Sequence, residues 1–185
     1  MIRQRRQLLI VTLVLILAVL ALVFVWRLPK EEETANIQSY PVTDMDQDKI
    51  NHFSFTNESG MCNFTRQDGA WVNEEDRSLD VDADAIERLA GKVASLTSQN
   101  RIEQVEDSAQ YGLDEPAATI LIADGTTGYT LLVGDRNDLT GTYYICMESD
   151  PGTVYTADSY IVSDFIEMDI SDLIVTPEET GTAST

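Results

Sequence analysis

The sequence predicts an α+β domain, in which an antiparallel β-sheet carries one long and one short helix on one face, preceded by an N-terminal transmembrane helix. Three observations carry this prediction: one long apolar run near the N-terminus, several short β-favouring segments between turn residues, and an apolar stripe at helical spacing. They divide the chain into a stub and anchor (1–27), a linker (28–47), an α+β domain (48–175) and a disordered tail (176–185).

The apolar run extends from Leu8 to Trp26 and contains Thr12 as its only polar residue. As a helix it would be roughly 28 Å long, close to the thickness of the hydrocarbon core of a bilayer. A cleaved signal peptide is the alternative, but its apolar region is shorter and ends in a small-x-small site that is absent here. We therefore expect an uncleaved anchor that contacts the lipid bilayer through residues 8–26.

The charges beside this run predict its orientation. Three arginines precede it, whereas Arg27 and Lys30 follow it. Because positively charged flanks stay in the cytoplasm, we expect a single-pass protein of the cell membrane with a cytoplasmic N-terminus and residues 31–185 outside.

The first half of the predicted domain is a meander of strands followed by a helix. Strands are predicted at His52–Thr56, Met61–Gln67 and Ala70–Asn73, and Asp68-Gly69 is a hairpin signal. Asp84 and Glu87 have the spacing of a capping box, which predicts the start of the helix. Its apolar stripe consists of Ile86, Leu89, Ala90, Val93 and Leu96.

The second half repeats this order of elements. A short extended segment at Ile102–Val105 leads to a turn at Tyr111–Pro116, marked by its glycine and proline. Further strands are predicted at Ala117–Ala123, Gly128–Gly134, Thr142–Glu148 and Thr153–Thr156, with the last turn at 149–152 and a closing helix at Asp158–Met168. Strands followed by a helix in both halves suggest an internal duplication.

The charge balance limits the classes of partner. Beyond residue 30 there are seven Lys and Arg against 32 Asp and Glu. Nucleic-acid binding needs a basic face, so no nucleic-acid partner is expected. An acidic surface gathers cations weakly, and we interpret the carboxylates as solvated rather than as a metal site.

The residues that could carry chemistry do not form a known catalytic or metal-binding pattern. His52 is the only histidine, and no Gly-x-Ser-x-Gly elbow accompanies it. Asp80, Asp82 and Asp84 resemble the start of a calcium-binding loop, but the positions that need Gly and Glu hold Ala85 and Gly91. We therefore predict no catalytic residue, no metal site and no cofactor, and we do not expect an enzyme.

The two cysteines, Cys62 and Cys146, fall on two different predicted strands. A redox role would call for a Cys-x-x-Cys motif or a basic neighbour, and both are missing. We expect two separately buried free thiols, and a disulfide between them is the alternative because the space outside the membrane permits one.

The segment Tyr111-Gly-Leu-Asp-Glu-Pro116 resembles the bacterial family named domain of unknown function 4340. The same order of motifs continues with Leu131-Leu-Val-Gly-Asp135, Tyr143-Tyr-Ile145 and Val154-Tyr155, and upstream with Gly69-Ala-Trp71. The resemblance covers about residues 48–170. Its structural motif residues are Trp71, Tyr111, Gly112, Leu113, Asp114, Pro116 and Gly134.

These residues have physical roles in folding rather than in catalysis. We expect Gly112 to adopt a conformation closed to other residues, Pro116 to force Glu115 into an extended conformation and so start the next strand, Trp71 to cap the core, and Gly134 to end a strand.

The resemblance implies a membrane-anchored extracytoplasmic domain, because members of this family typically carry one N-terminal helix. Some resemble auxiliary parts of ABC transport systems, which implies a membrane-protein partner. The sequence therefore favours an accessory or scaffold subunit of an envelope complex. The alternative is a binding module for a metal ion, a peptide or a polysaccharide, which a cleft lined by Tyr111, Tyr129, Tyr143, Tyr144 and Tyr155 would favour.

Overall fold

The computed structural model describes residues 38–175, so the predicted anchor at residues 8–26 and the predicted tail at 176–185 lie outside the described residues. Within residues 38–175, no helix combines the length and the apolar character that a membrane crossing needs. The strands are β1 (Tyr40–Pro41), β2 (His52–Asn57), β3 (Gly60–Gln67), β4 (Ala70–Asn73), β5 (Thr97–Ser98), β6 (Arg101–Ile102), β7 (Ala118–Ala123), β8 (Gly128–Arg136), β9 (Thr142–Met147) and β10 (Asp150–Asp158). The α-helices are α1 (Ala83–Ala94) and α2 (Ser159–Glu167), and three short 3₁₀ helices span Gln47–Lys49, Ala109–Tyr111 and Ile170–Leu173.

Eight strands form one antiparallel sheet in the order β4-β3-β2-β7-β8-β9-β10-β6, and β1 pairs with β5 separately. Burial alternates along β7, where Ala118, Ile120 and Ile122 are buried and the residues between them are half-buried. Strands β2 and β7 pair at the centre of the sheet. From there β3 and β4 follow in chain order toward one edge, and β8, β9 and β10 follow in chain order toward the other. This order is compatible with the internal duplication that the sequence suggested.

Both helices pack on one face of the sheet. The apolar stripe of α1 buries Ile86, Leu89 and Val93 in the same core as the phenylalanines of β2 and β3. Phe165 of α2 lies edge-on to Phe55, with ring centres 5.6 Å apart. An ion pair of 2.7 Å between Lys92 Nζ and Asp164 Oδ2 joins the two helices. The predicted α+β domain, an antiparallel sheet with two helices, is therefore confirmed.

The opposite face carries a second, smaller core over β8, β9 and β10. It contains Leu113, Cys146 and Val154, with Leu132 and Tyr144 packed against it. Part of the connection between β6 and β7 covers this half of the face. The half of the face formed by β4, β3, β2 and β7 has no such cover among the described residues.

The predicted linker at 28–47 was too long at its C-terminal end. Val42, Thr43 and Met45 are buried, so residues from Tyr40 onward belong to the domain. Thr43 Oγ1 donates to the carbonyl of Val93 at 2.6 Å, and the amide of Met45 donates to that of Ala94 at 2.8 Å. This segment packs onto the end of α1 because the last carbonyls of a helix need donors from outside it.

Two local predictions also differ from the structure. Helix α1 begins after Asp82, whose carboxylate accepts from the amide of Ala85 at 2.9 Å, so the predicted box at Asp84 and Glu87 is wrong. The last hairpin turns at residues 148–149 rather than at 149–152, because Asp150 already pairs with Met147. A register irregularity between Asp150 and Val154 accommodates the Pro-Gly pair, as bulges in strands commonly do.

Candidate functional site

On the sheet face opposite the helices, four of the predicted motif residues meet: Tyr111, Gly112, Leu113 and Gly134. Gly112 ends the short helix Ala109–Tyr111 with φ 69° and ψ 22°, and its amide donates to the carbonyl of Ala109 at 3.0 Å. This left-handed conformation is the one expected for Gly112, because a side chain there would be strained.

Gly134 lies inside β8, directly beneath this turn. The strand continues to Arg136, so the prediction that Gly134 ends a strand is wrong. A Cβ at Gly134 would lie 2.2 Å from the carbonyl oxygen of Tyr111, which is far inside van der Waals contact. The glycine is required because two backbone segments touch at this point.

The residues beside these glycines form the second core. Leu113 is buried with Cys146 and Val154, and the rings of Tyr111 and Tyr144 lie 4.9 Å apart at 62°. The side-chain amide of Asn137 donates to the hydroxyl of Tyr144 at 2.9 Å. The motif therefore fastens the β6–β7 connection onto the sheet, which is a packing role.

The remaining motif residues lie elsewhere. Asp114 is exposed, and Pro116 lines a cleft of about 360 Å³ between the end of β2, the start of β7 and α2. Trp71 is buried on the helix-covered face, where the guanidinium carbon of Arg66 lies 4.9 Å from the centre of its ring. Trp71 is thus part of the main core, as expected.

The cysteines are both free and buried, and they lie on opposite faces of the sheet in different cores. The expectation of separate buried thiols is confirmed, and the disulfide alternative is wrong because the sheet lies between the two sulfurs. Burial raises the pKa of Cys62 to about 12 and the pKa of Cys146 to about 11. Neither thiol is a reactive thiolate near neutral pH.

His52 lies on the face opposite the helices, at the start of β2. Its Nδ1 is 3.7 Å from Oε1 of Glu74, and the other oxygen of Glu74 accepts from the side chain of Asn63 at 2.8 Å. Among residues 38–175, no three His, Cys, Asp or Glu side chains are placed to hold a metal ion.

The uncovered half of this face has an unusual composition. We call it the open face, and it consists of the outward positions of β4, β3, β2, β7 and the start of β8. Its members are Ala70, Val72, Met61, Asn63, Thr65, Gln67, His52, Ser54, Thr56, Thr119, Leu121, Ala123, Gly128 and Thr130. None of these residues is Asp, Glu, Lys or Arg, and all of them are half-buried or exposed.

The rest of the domain is densely charged. Residues 38–175 contain 27 Asp and Glu and seven Lys and Arg. Glu74 reaches the margin of the open face, where it contacts Asn63 and His52. An uncharged face on such an acidic domain is the feature with the clearest functional meaning. The strand pattern alone did not predict this face, although the alternate residues of the predicted strands already had this composition.

Comparison with known proteins supports the resemblance found in the sequence. The search of curated proteins and the search of solved structures gave no match. Residues 71–176, more than half of the chain, match the family described as a domain of unknown function (DUF4340). This range includes Trp71, the turn at Tyr111, and Gly134, whose packing is described above. The chain therefore belongs to the DUF4340 family.

Proposed function

We propose that this chain is a single-pass, membrane-anchored interaction domain outside the cytoplasm, and that it serves as an accessory or scaffold subunit of an envelope complex such as an ABC-type transport system. The open face is the observation that carries the proposal. The apolar run at residues 8–26 supports the anchor. The choice of partner follows from what the resemblance of the Tyr111–Pro116 motif to this family implies.

An uncharged sheet face suits protein docking for an energetic reason. A charged side chain loses its hydration when a partner covers it, so the centres of interfaces are depleted in charged residues. Here Leu121, Val72 and Met61 provide apolar contact, while threonine, serine and asparagine side chains provide hydrogen bonds. The partner surface is expected to be mostly uncharged, because none of the fourteen positions of this face holds Asp, Glu, Lys or Arg and the carboxylate of Glu74 lies at its margin.

The size of the open face indicates an interface of moderate strength. Without the short contribution of β8, four strands spaced at about 4.8 Å and six residues of about 3.4 Å each cover about 400 Å². A typical stable interface buries about 800 Å² on each partner. A shared membrane anchor would compensate by raising the effective concentration of the two proteins, since tethering makes the second contact intramolecular.

The roles of the motif residues also favour interaction over catalysis. Gly112, Gly134 and Leu113 hold the β6–β7 connection on the sheet, and Trp71 belongs to the core. None of these side chains presents a nucleophile, an acid or a base to a cleft. We therefore place the function in the surface that they support.

A charge placed on the open face tests the proposal. The variant Thr56→Arg/Met61→Arg adds two arginines at exposed cross-strand neighbours, and Thr97→Arg adds one on the separate β1–β5 ribbon as a control. The tagged full-length proteins would be purified in mild detergent from the membranes of the cell that makes them, and copurifying proteins quantified by mass spectrometry.

We expect a stoichiometric transporter permease or ATPase with the wild type and with Thr97→Arg. The double variant should retain its thermal unfolding midpoint and lose most of this partner. A wild-type preparation with no membrane-protein partner would contradict the proposal, and so would a partner that the double variant still binds fully.

The cleft beside Pro116 supports the second candidate, a ligand-binding module. Its volume of about 360 Å³ falls at the lower end of small-molecule sites, which measure about 300–1,000 Å³. Thr56, Glu58 and Thr119 give it a polar lining. The five tyrosines considered in the sequence analysis pack against the two cores instead, so the aromatic platform that a polysaccharide prefers is not part of this cleft. A short peptide is the better candidate ligand.

The variant Ala117→Trp tests this second function, because Ala117 is exposed and lines the cleft but does not belong to the open face. A library of short peptides would be screened by thermal shift against the full-length protein. A peptide that stabilises the wild type but not Ala117→Trp would favour ligand binding, whereas no shift with any peptide would count against it.

A further inference from the structure

Strand β4 is the last strand at one end of the eight-stranded sheet, so one of its edges has no neighbouring strand in the described part of the chain. The amide of Glu74 donates to the carbonyl of Asn63 at 2.9 Å, which fixes the bonding pattern between β3 and β4. Opposite residues of antiparallel strands alternate between bonded and unbonded pairs. Val72 therefore bonds to β3, whereas Trp71 and Asn73 turn their main-chain N–H and C=O groups away from the sheet.

The other end of the sheet is closed by the chain itself. There β6 pairs with β10, and the hydroxyl of Ser98 lies 2.7 Å from the carbonyl oxygen of Thr156 and accepts from its amide at 3.1 Å. The amide of Val105 donates to the carbonyl of Gly152 at 3.0 Å. Proteins commonly close their edges in such ways, because an unpaired edge recruits other strands. The edge of β4 has no comparable closure among the described residues.

The chain turns away from this edge directly after β4. The side-chain oxygen of Asn73 accepts from the amides of Glu75 and Asp76 at 2.8 and 2.9 Å, and such bonds turn the backbone out of a strand. Every residue from 74 to 80 is exposed, so this loop does not pack over the edge. Strand β4 itself contains neither proline nor a charged residue, either of which would hinder the addition of a strand.

The charges beside β4 restrict what this edge can bind. Asp68 precedes the strand in the hairpin turn, Glu75 and Asp76 follow it, and all three are exposed. Two copies of this chain paired through their β4 edges would bring these acidic ends together, and like charges on facing strands are destabilising. A segment with an uncharged centre and basic ends is complementary instead.

The edge is continuous with the open face, because Ala70 and Val72 belong to both. The open face alone covers about half of what each partner contributes to a typical stable interface. A strand added beside β4 would widen the sheet by about 4.8 Å and bond to the outward main-chain groups. One partner can therefore use both surfaces at once.

We propose that the outer edge of β4 binds an extended segment of the partner that docks on the open face, and that this segment adds a ninth strand to the sheet. The main-chain groups of Trp71 and Asn73 bond to the segment, and its basic ends meet Asp68 and Glu75. The inference rests on the proposed docking function and adds the way in which the partner is held, by β-strand addition.

Hydrogen exchange of single backbone amides tests this site. The full-length protein in mild detergent would be measured alone and in its copurified complex, by mass spectrometry with fragmentation that resolves neighbouring amides. Val72 is the internal control, because its amide faces β3 in both states. Alone, the protein should exchange fast at Trp71 and Asn73 and slowly at Val72.

In the complex, the amides of Trp71 and Asn73 should exchange at least about tenfold more slowly, because they gain acceptors. If a partner copurifies but these two amides exchange as fast as in the protein alone, strand addition is wrong and docking on the open face stands. A preparation without any partner contradicts the docking function, and strand addition with it.

Slow exchange at Trp71 and Asn73 in the protein alone would also overturn the proposal. Protection that grows with protein concentration would identify a second copy as the occupant. Protection that does not depend on concentration would show that the chain covers its own edge.

Charge reversal tests the basic ends of the segment. Glu75→Lys reverses an exposed charge beside the edge, and Glu106→Lys makes the same change on the β6–β7 connection as a control. We expect Glu75→Lys to lower the amount of copurified partner about threefold, whereas Glu106→Lys should leave it unchanged. Equal amounts of partner with the two variants would overturn the assignment of basic ends.

Discussion

Among the glycines in the described part of the chain, Gly134 leaves the least room for a side chain. A Cβ there would lie 2.2 Å from the carbonyl oxygen of Tyr111, whereas a Cβ at Gly128, on the same strand, would have no neighbour closer than 3.7 Å. Gly134→Ala must push the β6–β7 connection away from the sheet, so we expect the free energy of unfolding to fall by at least about 2 kcal/mol. Gly128→Ala should stay within about 1 kcal/mol of the wild type.

Urea unfolding of the two full-length variants beside the wild type measures this difference. Equal stability of Gly134→Ala and Gly128→Ala would show that the connection is not held against β8 in solution.

The buried thiols predict slow chemistry in the folded protein. Burial raises the pKa of Cys62 from 9.0 to about 12, so at pH 8 its thiolate fraction falls about a thousand-fold, at tenfold for each pKa unit. Alkylation by iodoacetamide should therefore be at least a hundred-fold slower in the folded protein than in denaturant. Mass spectrometry should find both cysteines alkylated in denaturant without a reductant, because they are not joined. A mass without any added alkyl group would show that a disulfide forms after all.

The same pKa values predict a loss of stability at high pH. Below pH 9 both folded and unfolded thiols are protonated, so they add no pH dependence. Above pH 9 the unfolded thiols ionise, whereas the folded ones keep their protons until about pH 11 for Cys146 and about pH 12 for Cys62. Stability must then fall as pH rises through this window. Cys62→Ala/Cys146→Ala should show a shallower decline in the free energy of unfolding from pH 9 to 10.5, and an identical decline would contradict the raised pKa values.

At the scale of elements, Asp82 and Asp84 have different roles at the start of α1. Asp82 accepts from the amide of Ala85 at 2.9 Å, whereas Asp84 lies within the first turn and is exposed. Asp82→Ala should lower the free energy of unfolding by about 1 kcal/mol, the usual value of an N-cap. Asp84→Ala removes only a favourable charge near the helix N-terminus, and its cost should be about 0.3–1 kcal/mol at low salt and less at high salt.

Chemical denaturation at high salt compares these two variants most clearly, because salt screens the effect of charge and leaves the hydrogen bond of the cap. If Asp84→Ala lowered the free energy of unfolding more than Asp82→Ala, the result would indicate that Asp84 caps the helix, as the sequence predicted.

The first strands could be predicted from the sequence because their signals are local. Residues 52–56, 61–67 and 70–73 alternate between buried and open positions, and Asp68-Gly69 defines the turn between two of them. The helix start was misplaced because Asp80, Asp82 and Asp84 alternate, and each could cap a helix. The contact between Tyr111 and Gly134 could not be predicted, since nothing local to either residue shows that the two backbones meet.

At the scale of the whole molecule, the open face was missed for the same reason, because it depends on contacts between segments that are distant in the sequence. Alternation along β2, β3 and β7 shows which residues share a face, but not which face the helices cover. That choice depends on the packing of α1 and α2 against the phenylalanines of the sheet. Once the helices are placed, the uncharged outward positions become a continuous surface, with the carboxylate of Glu74 at its margin.

The excess of acidic residues sets the response of the whole domain to salt. Residues 38–175 hold 27 acidic and seven basic side chains, so most carboxylates have no basic partner. Ion pairs such as Lys49–Asp46 are exposed and contribute little, whereas the like charges repel one another in the compact state. Salt weakens both the ion pairs and the repulsion between carboxylates. The repulsion is the larger effect because acidic side chains greatly outnumber basic ones. Raising sodium chloride from about 0.02 M to 0.5 M, where the Debye length falls to about 4 Å, should therefore raise the thermal unfolding midpoint.

Potassium chloride and tetramethylammonium chloride should give the same rise, because screening depends on ionic strength and not on the identity of the cation. Calcium chloride should act gradually over the millimolar range, as a diffuse acidic surface does. A calcium effect that saturates at micromolar concentration would instead identify a specific metal site. A midpoint that falls with sodium chloride would mean that the few ion pairs stabilise the fold more than the excess negative charge opposes it.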